Sequence, residues 1–199
     1  MEYLSHLKKD KVLASIIDAP VHEQLVLHKH IALRLMSAIM SQQLNTKVAS
    51  IIYERFLQLC GSKNPSPKKV LSIPIEALRT VGLSNAKANY VHNVAAFCIE
   101  HQITDKKLIG MDDAEIIQLL TQIKGVGKWT VEMLLMFSLG RLDIFAIDDW
   151  GLQQAMIKLY KIKTTDKKKR NETILKISKK WAPYRSYASL YLWQWKDGE

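Results

Sequence analysis

The stretch LTQIKGVGKWTVEMLL, residues 120–135, decides the fold of this chain. Its apolar residues are spaced for a helix up to Gly125-Val126-Gly127, and an apolar helical pattern resumes directly after the second glycine. Two glycines in so short a turn permit positive φ angles and let the backbone approach another molecule closely. The pattern predicts two core helices joined by a tight hairpin.

The start of the second hairpin helix has the features of an anion site. Its first backbone N–H groups have no partner within the helix, and the helix dipole places partial positive charge at the same end. The glycines alone favour an ordinary turn between core helices. Lys124 and Lys128, which flank the turn, shift the balance toward a phosphate contact at Gly125 and Gly127.

The composition supports a polyanionic partner. Lys and Arg number 29 against 19 Asp and Glu, so the formal net charge is +10. Such a charge on a chain of 199 residues points to nucleic acid, with an acidic membrane surface as the alternative. A hydrophobic content of 48% excludes wholesale disorder.

Cysteine and histidine usage excludes several kinds of site. Cys60 and Cys98 are the only cysteines and belong to no cluster, which argues against disulfide frameworks and against zinc or iron–sulfur sites. The six histidines show no metal-ligand spacing. No apolar run approaches the roughly 20 residues that cross a bilayer. We therefore expect a cytoplasmic protein that has no membrane partner.

Outside the hairpin the apolar residues recur mainly at spacings of three and four, which predicts a nearly all-helical chain. Asn45 and Gly61 are suited to begin and end one helix, and Ser84 is suited to begin the next. The Pro-rich segment 61–74 is predicted to be a loop. The basic segment KIKTTDKKKR, residues 161–170, is predicted to be a solvated linker, with phosphate contact as the alternative.

Asp148 and Asp149 precede a helical pattern that runs to Leu159. Acidic side chains stabilise helix starts, so capping explains one of them. Successive residues at a helix start point about 100° apart, so the two carboxylates cannot share one role. The pattern leaves one aspartate available for chemistry.

Four segments, in family order over about residues 30–195, resemble the helix-hairpin-helix DNA glycosylase superfamily. They are KGVGKWTVEMLLMF (residues 124–137) with Asp148-Asp149 following, SQQL (Ser41–Leu44), LRTVGLSNAKANYV (residues 78–91) and WAPYRSYASLYLW (residues 181–193). The last is typical of the DNA-3-methyladenine glycosylase II family. The resemblance implies an all-α, two-lobed helix-hairpin-helix fold with a DNA cleft between the lobes.

The resemblance also implies how a single glycosylase domain over residues 1–199 divides. One lobe would come mainly from about residues 30–140, including the hairpin at 124–127. The second would combine the N-terminal segment with about residues 141–199. The N-terminal α/β domain of the bacterial representative has no room here, which implies a compact form.

The family pattern places the catalytic carboxylate at Asp149 and leaves Asp148 as the helix cap. A carboxylate there stabilises the positive charge that grows on C1′ and orients the attacking water. Relatives that also cut the DNA backbone have a lysine two residues after the last hairpin glycine. In this chain that glycine is Gly127, and the position is occupied by Trp129. An indole cannot form a Schiff base, so the resemblance implies hydrolysis without lyase activity.

Family positions for base binding fall on Trp129 and Trp193, while Met133 stands where the bacterial enzyme has a pocket tyrosine. Aromatic faces attract a cationic base. By pattern alone, an apolar core is the favoured interpretation for both tryptophans. The resemblance also implies that Gln43 and Leu44 bind DNA. Leu44 matches the residue that fills the gap left by the flipped base, and simple helix packing is its alternative.

The resemblance implies no required cofactor, although hairpins of this superfamily often hold a monovalent cation. Its ligands here would be the backbone carbonyls of Thr121, Ile123 and Val126.

We thus expect a monomeric, monofunctional glycosylase acting on double-stranded DNA that contains a damaged base, in the cytoplasm or the bacterial nucleoid. Its substrates would be alkylated purines such as 3-methyladenine and 7-methylguanine, and also ethenoadenine and hypoxanthine. The alternatives are a glycosylase for oxidised or mismatched bases, a non-catalytic helix-hairpin-helix module and a basic protein-interaction domain. The non-catalytic helix-hairpin-helix module does not explain Asp149 together with the ending WAPYRSYA, and a protein-interaction domain would show no salt-dependent affinity for DNA.

Overall fold

The computed structural model describes residues 2–21 and 25–198. This part of the chain is helical, and an isolated bridge between Leu27 and Leu139 is its only β pairing. The helices are α1 Glu2–Leu7, α2 Lys11–Ala14, α3 Ile31–Ser41, α4 Thr46–Cys60, α5 Pro67–Leu71, α6 Ile75–Thr80, α7 Asn85–Glu100, α8 Asp105–Ile109, α9 Asp113–Leu120, α10 Lys128–Phe137, α11 Trp150–Leu159, α12 Lys167–Ser178, the 3₁₀ turn η1 Lys179–Trp181, and α13 Arg185–Asp197. The predicted all-α class is confirmed.

The chain divides into two compact units. The central unit spans Leu27–Leu139, and the terminal unit combines residues 1–26 with residues 140–199. Among the described helices, none combines the length and apolar character needed to cross a membrane.

The central unit is built around α7, which packs against α3, α5 and α6. α3 contributes six buried apolar side chains, and α10 packs on α3 and α9. This arrangement places the end of α3 against the start of α10, where most of the predicted base-binding residues lie.

Local capping signals predicted the helix starts well. Asn45 accepts a hydrogen bond from the Val48 amide at 2.9 Å, and Ser84 caps α7 through the Lys87 amide. Gly61 ends α4 with φ 64°, a left-handed conformation that favours glycine. These three predictions are confirmed.

Two segments predicted to be irregular contain helices. Within segment 61–74, Ser66 accepts from the Lys69 amide, and Pro67 at the first helical position fixes φ for α5. In the basic segment 161–170, Asp166 accepts from the Lys168 and Lys169 amides and begins α12. Both predictions are wrong for the helical residues, because one capping residue was enough to start each helix. Residues 161–166 are irregular, and most of the segment 161–170 is exposed, as predicted for a solvated linker.

In the terminal unit, Asp10 connects the N-terminal segment to the buried Trp181. Its Oδ2 accepts hydrogen bonds from Tyr160 Oη at 2.9 Å and from Trp181 Nε1 at 3.1 Å, while Oδ1 accepts from the Val12 and Leu13 amides. Burial alone would raise the pKa of Asp10, but these hydrogen bonds outweigh burial and hold the pKa below its ordinary value.

We expect Asp10→Asn to lower the free energy of unfolding by about 1–2 kcal/mol near neutral pH, because a charged acceptor of partly buried donors is lost. A carboxyl whose folded-state pKa is lowered stabilises above its unfolded pKa of about 3.9, and this contribution disappears as the pH falls through the folded-state value. The difference from the parent should therefore narrow below about pH 4. Urea unfolding at neutral and acid pH measures this difference in the free energy of unfolding. Asp18→Asn, at an exposed aspartate, is the control. An equal difference at both pH values would contradict the expectation.

Candidate active site

The hairpin runs from the end of α9 to the start of α10, and its two glycines are required for different reasons. Gly125 has φ 102°, and a Cβ there would overlap the ring of Tyr90. Gly127 caps α10 with φ −89°, and a Cβ there would meet no atom within 4 Å. Packing and backbone conformation explain Gly125. No neighbouring atom of the protein requires a glycine at position 127.

The two flanking lysines also differ. Lys124 is exposed, and its carbonyl accepts a hydrogen bond from Asn93 Nδ2 at 3.1 Å. Lys128 Nζ lies 3.3 Å from Oε1 of the buried Glu132, one turn further along α10. Because the Lys128 side chain is still 49% exposed, its ammonium group remains accessible at the start of the helix.

The hairpin carbonyls of Thr121, Ile123 and Val126 belong to the seven residues between α9 and α10. The Ile123 carbonyl accepts a hydrogen bond from the Val126 amide at 2.9 Å. In the described residues, no turn or cap hydrogen bond between backbone groups is directed to the carbonyls of Thr121 or Val126.

A pocket of about 600 Å³ opens in the central unit between the end of α3 and the first turns of α10. Four predicted site residues line it: Gln43, Leu44, Trp129 and Met133. Trp129 is 41% exposed and Leu44 is 36% exposed. Gln42 Nε2 donates to Thr130 Oγ1 at 3.3 Å and joins the two walls. Residues almost 90 positions apart in the sequence thus form one apolar, partly aromatic cavity.

In the terminal unit, Asp149 caps α11. Its Oδ1 accepts hydrogen bonds from the Leu152 amide at 2.7 Å and from Trp193 Nε1 at 2.9 Å. The expectation that Asp148 caps this helix is wrong: Asp148 is exposed, and Asp149 has the extended backbone of a cap residue. A carboxylate has two oxygens, so capping through Oδ1 is compatible with a further role for the same side chain.

Trp193 lies beside Asp149 in the terminal unit, and its indole N–H holds the carboxylate. Gly151 packs closely against this contact: a Cβ there would lie 3.1 Å from Asp149 Oδ1 and 3.3 Å from Trp193 Cδ1, so these neighbours would have to shift slightly. The sequence analysis assigned no role to Gly151. The available signal was a glycine within a predicted helix, where other residues are generally more favourable.

By sequence, Trp150 and Trp181 suit either core or pocket rim. Trp181 is 1% exposed and belongs to the core. Trp150, the first residue of α11, is 68% exposed, and Lys196 Nζ lies 5.6 Å from the centroid of its ring.

Comparisons with known proteins agree with these motifs. The sequence profile described as HhH-GPD superfamily base excision DNA repair protein matches residues 36–183. The putative DNA-3-methyladenine glycosylase YfjP of Bacillus subtilis is 34% identical over 197 residues, which cover 96% of this chain and 67% of YfjP.

Two solved structures are similar over nearly the whole chain. DNA-3-methyladenine glycosidase from Bacillus halodurans is 35% identical with a TM-score of 0.84, over 98% of this chain and 89% of that one. The Schizosaccharomyces pombe 3-methyladenine DNA glycosylase Mag1, in complex with abasic DNA, is 30% identical with a TM-score of 0.80, over 98% and 96%. The resemblance found in the sequence is confirmed, and the chain belongs to the HhH-GPD superfamily of base excision DNA repair proteins.

Proposed function

We propose that this protein is a monofunctional DNA glycosylase that removes alkylated purines from double-stranded DNA by hydrolysing the N-glycosidic bond. The observation that carries the proposal is the Asp149 carboxylate, whose Oδ1 is held by a backbone amide and an indole N–H. The names of the relatives support the substrate class, and the complex of Mag1 with abasic DNA supports DNA as the partner. We propose that the enzyme acts as a monomer on the chromosome.

Asp149 would act at C1′ of the damaged nucleotide. Two donors to one oxygen fix the plane of the carboxylate, so little reorganisation is needed as positive charge develops on the sugar. The carboxylate also orients the attacking water. A purine alkylated at a ring nitrogen, such as 3-methyladenine or 7-methylguanine, is already cationic and leaves without a dedicated general acid. Hydrolysis needs no redox or group-transfer cofactor, because water is the second substrate.

Trp129 would bind the extruded base in the pocket of the central unit. The pocket volume of about 600 Å³ is within the range of roughly 300–1,000 Å³ that is usual for small-ligand sites. The exposed part of the indole offers a surface for stacking and for cation–π attraction. Met133 supplies a polarisable thioether in place of a second ring. Leu44, at the rim, would fill the gap left in the duplex.

Base release tests the proposed function directly. With duplexes that each carry one modified base, we expect release of 3-methyladenine and 7-methylguanine, and intact strands until the abasic sites are cleaved by alkali. Borohydride should trap no covalent adduct above background, because Trp129 stands at the lysine position of the lyases. Release of only oxidised or mismatched bases would replace the proposed substrate class. Absence of any release would favour a binding module.

The start of α10 would bind a DNA phosphate through Gly127 and the amides that follow it, with Lys124 and Lys128 adding charge. We also propose that the Thr121, Ile123 and Val126 carbonyls hold a monovalent cation there. The two carbonyls without turn or cap hydrogen bonds fit this donor set. Such an ion would add positive charge at the phosphate.

We expect Gly127→Val to weaken binding to all duplex sequences alike, by roughly 10-fold, because a phosphate contact carries no base information. The side chain meets open space in the protein, so the variant should fold, and Gly127→Ala should show a smaller loss. Fluorescence anisotropy at fixed ionic strength measures the DNA affinity of the parent and the variants, which tests the phosphate contact. Comparing affinities in potassium and in tetramethylammonium salts tests the bound cation. Unchanged affinity in a folded Gly127→Val variant would contradict the contact, and equal affinity in both salts would contradict the cation.

A further inference from the structure

Lys87 is the lysine of the GLSNAKA segment, and the proposed chemistry gives it no role. It lies in the first turn of α7 with a half-buried side chain. Its Nζ donates hydrogen bonds to the Gln42 carbonyl at 2.6 Å and to the Met40 carbonyl at 3.0 Å. The ammonium group thus binds the C-terminal end of α3.

The end of a helix is a favourable place for this cation. The last carbonyls of α3 have no helical partner and carry partial negative charge. Burial lowers the pKa of Lys87 below its ordinary value, so burial by itself disfavours the ammonium form. The two short carbonyl contacts offset that cost and hold the side chain in place.

The chain directly after these carbonyls has a conformation that needs support. Gln43 has φ 58°, a left-handed conformation that is unfavourable for a non-glycine residue. Leu44 follows, partly exposed at the pocket. The Gln42 side chain also donates a hydrogen bond to Thr130 of α10. The turn is therefore held at its backbone by Lys87 and at a side chain by α10.

We propose that Lys87 is a positioning residue that fixes the Gln42–Leu44 turn so that Leu44 can take the place of the extruded nucleotide. The inference rests on the proposed function, and Lys87 itself touches no substrate. Because strained backbone persists only where its surroundings determine it, losing the two carbonyl contacts releases Gln43 from its left-handed conformation. Leu44 then enters the duplex less often, and the extruded state is populated less.

The test compares Lys87→Met, which keeps length without a donor, with Lys87→Arg, which can donate to both carbonyls. Lys106→Met, at an exposed lysine of the same unit, controls for the lost charge. A misplacement of about 1 Å can cost roughly 100-fold in rate, so we expect Lys87→Met to slow single-turnover base release by roughly 10- to 100-fold. Its affinity for undamaged duplex should fall no further than that of Lys106→Met. Lys87→Arg should recover most of the rate.

Two further measurements connect the effect to Leu44. In a Leu44→Ala background, Lys87→Met should cost little more, because the two residues act in one step. Fluorescence of 2-aminopurine placed opposite an abasic site reports insertion into the duplex, and Lys87→Met should reduce its increase on binding. This signal needs no base release, so it tests the turn even where the proposed substrates are wrong.

Several results would overturn the inference. A parental rate in Lys87→Met would do so, as would additive losses in the double variant or a folded Lys87→Arg as slow as Lys87→Met. The rate of base release by Lys87→Met could instead fall only in proportion to the unfolded fraction, while the fluorescence increase per folded molecule stays unchanged. That result would show that Lys87 contributes to folding alone and does not position the turn. If the parent releases none of the lesions while the fluorescence results hold, the proposed function fails and the positioning role stands.

Discussion

We expect Asp149→Asn to slow single-turnover release of 3-methyladenine by roughly 100- to 1,000-fold, because the amide lacks the charge that opposes the cation growing at C1′. Folding should survive. Asparagine caps helices as well as aspartate does, and its Oδ1 can still accept from the Leu152 amide and Trp193 Nε1. Asp149→Asn therefore keeps the helix cap, whereas Asp149→Ala would remove the cap together with the charge.

Asp148→Asn is the matched control for this experiment. It removes the same charge from the neighbouring, exposed position. We expect base release within about twofold of the parent, since exposed charges are screened by solvent. Rates should be measured with enzyme in excess, and melting temperatures should be recorded for both variants. Parental release by Asp149→Asn, or equal losses in the two variants, would remove Asp149 from the catalytic role.

The helix starts were predictable because a cap is a local event. Asn45 and Ser84 bond to amides three residues ahead, within reach of a sequence pattern. At Asp148 and Asp149 local reasoning left the cap residue open, because the choice between adjacent carboxylates depends on the preceding turn, and the assignment to Asp148 drawn from the family pattern is wrong. There the Asp149 amide donates to the Ala146 carbonyl, and this contact fixes which side chain faces the helix start.

The site contacts were less predictable because they join distant parts of the chain. Trp193 is 44 residues from the carboxylate that it holds, and Lys87 is 45 residues from the Gln42 carbonyl. Hydrophobic periodicity carries no information about such pairs. The resemblance implied that Trp129 and Trp193 both bind the damaged base. Their observed contacts differ, since Trp129 lines a pocket and the Trp193 indole N–H donates to a carboxylate.

Because Trp129 lines the pocket, we expect Trp129→Ala to lose more activity on cationic lesions than on neutral ones. A stacking platform contributes roughly 1–3 kcal/mol per base. Cation–π attraction adds on the order of 0.5–2 kcal/mol for a charged base only. Release of 7-methylguanine should therefore fall further than release of hypoxanthine. Trp129 is 41% exposed, so its truncation creates no core cavity and the variant should remain folded.

Trp193→Phe is the companion variant, because it keeps a ring and removes the indole N–H that Asp149 accepts. We expect a loss of roughly 10-fold from one hydrogen bond to a charged group, and an equal loss on both lesions. In the proposed mechanism the carboxylate acts on the sugar, and the sugar is the same whichever base departs. Single-turnover rates below the melting transitions measure both variants. If Trp193→Phe discriminates by lesion charge and Trp129→Ala does not, the base lies against Trp193, and the roles argued from the pocket and the carboxylate are reversed.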